Sequence, residues 1–138
     1  MNVVVMDAQG GGMGRMIIEQ LKREAPEQPL IAVGTNALAT AAMLRAGADQ
    51  GATGENAAIV CARKADLIIG PMGLVLADAM LGEVTAAMAA AVGRSAAHKI
   101  LIPVGKCQVT VAGTRPLSRA EAVEEAVREA VRCIRGEE

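Results

Sequence analysis

Apolar residues follow two alternating rhythms along this chain. Short unbroken runs, Val3-Val4-Val5-Met6, Leu30-Ile31-Ala32-Val33 and Leu67-Ile68-Ile69, alternate with longer stretches in which apolar positions recur every three or four residues. The runs predict strands covered on both faces, as in a parallel sheet. The longer stretches predict amphipathic helices. Taken in order, the pattern predicts a strand over 3–6 and a helix over 13–24, with Met13, Ile17 and Leu21 on one face. A strand over 30–33 and a helix over 37–46, closed by Gly47, come next. A short, weak third strand starts near Ala48, and a third helix covers 55–64, with Thr53 and Asn56 marking its start. A strand within 65–70 is followed by a helical region over 74–92, broken near Gly82. The strand over 98–104 is brought to an end or an edge by Pro103. Gly105, Lys106 and Cys107 read as a turn, and Val109 and Val111 flank Thr110 in period two. That alternation predicts a further strand, antiparallel as a hairpin partner. Ser118 and Glu121 form a capping box for the last helix, striped by Val123, Val127, Val131 and Ile134. On the helix surfaces, Glu19 with Arg23 and Glu124 with Arg128 are spaced to pair.

Strand–helix alternation with all-apolar strands predicts an α/β fold: a small Rossmann-like three-layer domain, its sheet mostly parallel, ending in a helix. A chain of 138 residues with 52% hydrophobic content suits one compact domain over 1–138. With no aromatic residue, core volume must come from Val, Ile, Leu, Ala and eight Met. The same absence removes the stacking platforms of single-strand nucleic-acid binders. A net charge of −1, from 14 basic and 15 acidic residues, points to neither nucleic acid nor a membrane surface. The apolar region over 67–92 is interrupted by Asp78, Glu83, Gly70, Pro71, Gly73 and Gly82, so it reads as buried helix and loop, not a membrane span. Met1 and Asn2 lead straight into the first strand without the pattern of a signal peptide. Cys61, Cys107 and Cys133, odd in number and widely spaced, fit free thiols in a reducing cytoplasm.

Chemistry concentrates where the first strand meets its helix. Asp7-Ala8-Gln9-Gly10-Gly11-Gly12-Met13-Gly14 is a glycine-rich loop opening a helix. A helix N-terminus offers unpaired amides and the positive end of the helix dipole, and glycines let a phosphate approach the backbone. Gly10, Gly11, Gly12, Met13 and Gly14 are therefore the candidate phosphate-binding residues. The G-x-G-x-x-G spacing is not met, since Arg15 stands where its last glycine would fall. Ala8 followed by Gly12-Met13-Gly14 resembles the glycine loop of short-chain dehydrogenases, with alanine at their first glycine. The G-x-M-G ending, and Ala65-Asp66 before an apolar strand, resemble hydroxyacid dehydrogenases. Lack of tyrosine excludes the short-chain dehydrogenase reaction in its usual form.

After the second strand, Thr35 and Asn36 are placed to face a sugar, to cap the next helix, or both. No Asp or Glu is there to hold an adenosine ribose, which counts against NAD in particular. Pro71, Met72 and Gly73 follow the fourth strand at the same sheet edge and would close the far side, unless they form only a strand-to-helix turn. Asp78 and Glu83 are the only carboxylates of the region that follows; pointing inward they need partners, pointing outward they are surface charges. His98, the single histidine, has no close cysteine pair with which to build a metal site. Cys107 beside Lys106 is either an activated thiol or an inert one.

As a whole the chain resembles a family of short bacterial proteins known as domain of unknown function 3842. The phrases that carry the likeness are Asp7–Gly14, Gly34-Thr35-Asn36, Ala46-Gly47-Ala48-Asp49 with Gly51-Ala52-Thr53-Gly54-Glu55-Asn56-Ala57, Gly70-Pro71-Met72-Gly73 and Met80-Leu81-Gly82-Glu83-Val84-Thr85. The resemblance implies that these phrases belong together. Three functions follow from the residues: a binder of a nucleotide or dinucleotide, NAD(P) among the cofactors; a homodimeric NAD(P)-dependent oxidoreductase sharing its site between subunits; or a regulatory or scaffold module without catalysis.

Overall fold

The computed structural model describes residues 1–104 and 108–137; Cys107 and the turn expected over 105–107 lie outside the described residues. The strands β1 (Val3–Asp7), β2 (Leu30–Gly34), β3 (Gln50–Thr53), β4 (Leu67–Pro71) and β5 (His98–Ile102) form one parallel sheet in the order β3-β2-β1-β4-β5. The helices are α1 (Gly12–Glu24), α2 (Ala37–Arg45), α3 (Glu55–Lys64), α4 (Ala86–Arg94) and α5 (Arg119–Ile134).

The period-two geometry of the strands divides their side chains between two cores. Val3, Val5, Leu67 and Ile69 face Ile17 and Leu21 of α1, Met43 of α2 and Val127 of α5. Val4, Met6 and Ile68 face Ala58 of α3, Met88 of α4 and Val84. Both faces are thus covered, which is why the central strands carry no polar alternation. Each fully buried aliphatic side chain here, such as Ile17 or Ile68, contributes about 1.5–3 kcal/mol by leaving water. The expected elements over 3–6, 13–24, 30–33, 37–46, 55–64 and 65–70 are all present within a residue or two of their ends. The last helix carries its capping box, with Glu121 N donating to Ser118 Oγ and Ser118 N to Glu121 Oε1.

Four expectations are corrected. The residues over 76–85 are not helical: Asp78, Met80 and Leu81 hold φ of 65°, 56° and 58°, and Gly82 87°. Left-handed residues cannot continue a right-handed helix. Helix resumes only at Ala86, capped by Thr85, whose hydroxyl accepts from Met88 N. No antiparallel strand exists among the described residues. Val109 and Val111 are exposed and irregular, and β5 itself stops at Ile102, before Pro103, which has no amide with which to extend a ladder. Thr53 does not cap α3; Gly54 precedes that helix at φ 101°, while the Thr53 hydroxyl bonds that of Thr40. The helix-surface pairs differ too: Glu19 pairs with Arg15 instead of Arg23, and among the described residues the ion pairs involving α5 are Arg132–Glu129 and Arg115–Glu125 instead of Glu124–Arg128.

Candidate functional site

From β1 the chain winds to β2 and β3 on one side, then crosses to β4 and β5 on the other. The loops after β1 and β4 therefore leave the same edge of the sheet and part company there, the place where open α/β sheets bind ligands. Pairing between β1 and β4 ends at Val5 with Ile69, one residue before Gly70. A cavity of about 980 Å³ lies in front of this split.

The glycine loop forms its floor. Some of its amides are already engaged: Gln9 N donates to Glu83 Oε1 at 2.8 Å, Gly11 N to the Ala8 carbonyl at 3.0 Å, and Gly14 N to Asp7 Oδ2 at 2.7 Å. The amides of Gly10, Gly12 and Met13 have no hydrogen-bond partner among the described residues, and all three residues line the cavity. The glycines divide in the same way. A Cβ on Gly11, which has φ +73°, would stand 2.8 Å from Ala39 Cα, and one on Gly14 would stand 2.5 Å from Met43 Sδ. Those two glycines serve the packing of α1 and its loop against α2. Gly10 has open space around it, and the nearest atoms to a Cβ on Gly12 belong to the Arg119 guanidinium, with Nη2 at 3.2 Å.

Two charged groups that the sequence reading did not single out complete this floor. Asp7, the last residue of β1, is buried under the loop and accepts from the amides of Ala8 and Gly14. Burial pushes its carboxyl above the ordinary aspartate range, against the pull of those amides and of Arg119. Arg119 opens α5 and reaches over Gly12 into the cavity. Its guanidinium makes no hydrogen bond or ion pair among the described residues. A cation at a helix N-terminus opposes the dipole. That local mismatch was the available signal in the sequence, but only folding brings α5 beside α1.

Of the other expected site residues, Pro71 lines the cavity. Met72 and Gly73 begin a 3₁₀ turn (Met72–Val75) behind it, where a Cβ on Gly73 would stand 2.7 Å from Met80 Cε. Thr35 and Asn36 are not in the cavity wall. Asn36 caps α2 by accepting from Ala39 N, and both residues bind Glu83: Thr35 Oγ1 donates to Oε1 at 2.6 Å and Asn36 Nδ2 at 2.9 Å. The loop carrying Glu83 supplies the apolar wall, with Leu76, Ala77, Met80 and Leu81 beside Val104. His98 is exposed at the start of β5, the sheet edge away from the glycine loop. Cys61 is half-buried and its thiol is raised by burial.

The Thr35 hydroxyl, then the Gln9 amide, hold the Glu83 carboxyl below its ordinary value of 4.5. A depressed folded-state value means that the stabilisation is present above that pH and lost as pH falls through the folded value. Asp7 acts in the opposite sense: its contribution is present below 3.8 and lost as pH rises through its raised value. Glu83→Gln is therefore expected to lose less melting temperature than wild type on acidification from about pH 6 to about pH 3. Parallel curves for the two proteins would show that Glu83 carries none of the acid sensitivity.

The chain belongs to the family described as Domain of unknown function (DUF3842), whose model matches residues 2–135. No curated protein matches it. Among solved structures it is similar to a dodecameric FMN-dependent Ubix-like decarboxylase from Escherichia coli O157:H7. The TM-score is 0.53 and the identity 17%, over 100% of this chain and 96% of that chain. At this identity the likeness shows the α/β fold alone. Among the described residues, no helix is long and apolar enough to cross a membrane.

Proposed function

We propose that this protein binds a phosphate-bearing nucleotide in the cavity at the split between β1 and β4. One observation carries the reading: Gly10, Gly12 and Met13, whose amides have no partner among the described residues, line the same cavity as Arg119. Amides at a helix start together with an arginine fork match the oxygens of a phosphate. The volume of about 980 Å³ is that of a small-molecule site, with an apolar wall for the rest of the ligand. The similar decarboxylase is described as FMN-dependent, so flavin mononucleotide is a natural first probe. Pro71 would close the far side, while Thr35 and Asn36 act through Glu83.

Thermal-shift measurements with FMN, adenine mononucleotides, NAD(P) and CoA test this. At a hundredfold excess over Kd a ligand adds ~2.7 kcal/mol, a readily measured rise. Wild type is expected to respond to at least one phosphate ester, and Gly12→Glu, which places a carboxylate among the open amides, to none. No response from wild type to any of them would end the reading.

A second reading, a site completed by another copy of the chain, draws on Leu81, which is 99% exposed at the cavity wall. Native mass spectrometry of freshly purified protein reports subunit number and retained ligand together; a ligand-bearing monomer would reject this reading.

A further inference from the structure

We infer that Glu83 is a specificity-determining residue that restricts the site to mononucleotide-class ligands and turns away dinucleotides. The inference rests on the phosphate reading above and adds a direction to it. In doubly wound sheets a dinucleotide straddles the glycine loop, and its adenosine ribose lies over the end of the second strand. Here that place is filled. Glu83 Oε1 accepts from Gln9 N on the glycine loop and from Thr35 Oγ1 and Asn36 Nδ2 just past β2. Asn36 Nδ2 also donates to the Gln9 carbonyl at 2.9 Å, and Thr35 N to the Asp7 carbonyl at 3.1 Å. The side-chain polar atoms of Thr35 and Asn36 are thus already bonded within the protein, Asn36 Oδ1 by accepting from Ala39 N.

The bridge is held from behind. Val84 is fully buried against Met6 and Met88, and Asp78 N donates to the Val84 carbonyl at 2.7 Å. The left-handed residues Asp78, Met80 and Leu81 fold the intervening chain back on itself, so Glu83 sits on a short, internally bonded loop. The cavity is lined by Pro71, Met80, Val104 and Arg119 among others, and neither Thr35, Asn36 nor Glu83 lines it. Charge acts in the same direction as shape. The Glu83 carboxylate rests on the amide of Gln9, next to Gly10, so a second phosphate extending from the loop toward β2 would meet a negative charge. Juxtaposing like charges rejects a partner effectively.

Calorimetric titration with two matched pairs, FMN with FAD and AMP with NAD, tests this on wild type, Glu83→Gln and Glu83→Ala. Wild type is expected to prefer the mononucleotide of the pair it binds by ~30-fold or more. Glu83→Gln, which removes the charge and keeps an oxygen acceptor, should narrow that preference by roughly 5- to 10-fold, and Glu83→Ala further. Equal affinity for both members of a pair in wild type overturns the inference and leaves the phosphate reading intact. An unchanged preference in both variants does the same. Binding of neither pair by wild type removes the phosphate reading and the inference with it.

Discussion

Replacing Arg119 with alanine should weaken phosphate-ester binding by about 10- to 100-fold and leave the ligand-free protein as stable as before, or slightly more so. The two halves of this result have separate causes. Arg119 occupies the first turn of α5, where a cation opposes the helix dipole, and it has no partner among the described residues. Its removal relieves an unfavourable placement worth about 0.3–1 kcal/mol, offset in part by the lost attraction between Arg119 and the buried Asp7 carboxyl. In the complex the same guanidinium would give a charge-assisted bond to the phosphate, worth about 1.5–3 kcal/mol. Titration of wild type and variant with the same probe, beside their melting curves without it, separates these effects. If the variant melts earlier and binds as well as wild type, Arg119 is a structural residue. Lysine in its place should recover part of the affinity, since the charge returns without the planar fork.

Gly70→Ala should cost on the order of 3 kcal/mol, seen as a fall in Tm of about 10 °C with a lower urea midpoint. A Cβ there would collide with the Met6 carbonyl oxygen and stand 2.6 Å from Leu74 Cδ1. The first neighbour is backbone in the central strand and cannot rotate away; the second is a fully buried side chain. This glycine lies just past the last paired residues of β1 and β4, where the strands separate and the crevice begins. Gly93, with nothing within 4 Å of its would-be Cβ, is the matched control. Within α4 its change to alanine should be neutral or stabilising by up to about 1 kcal/mol. Equal behaviour of the two variants would mean that β1 and β4 can shift to accept a side chain.

The order and kind of most elements were legible because local rules agree along this chain. Val3–Asp7 is all apolar until its last residue, Ser118 and Glu121 cap α5 from within four residues of each other, and α1 repeats its apolar face without interruption. The failures share a cause. Residues 76–85 carry enough Leu, Ala and Met to read as helix, yet their backbone is set by contacts with distant elements, Val84 in the core and Glu83 at the ends of β1 and β2. Val109 and Val111 alternate correctly for a strand but pair with no strand among the described residues. The site shows the same division. Gly10, Gly12, Met13 and Pro71 could be read from motif and position, whereas Arg119 lies more than a hundred residues from the loop it overhangs.

What this sequence determined alone was the strand–helix alternation, the two-sided cores and the presence of a glycine loop at the first turn, since each follows from residues within one helical or strand repeat of each other. The tertiary structure decided which glycines face the cavity and which face Ala39 and Met43, and it brought Arg119 beside Gly12 and Glu83 onto the Gln9 amide. A backbone amide becomes a binding group only when no other atom of the fold claims it, and that depends on every segment packed around it.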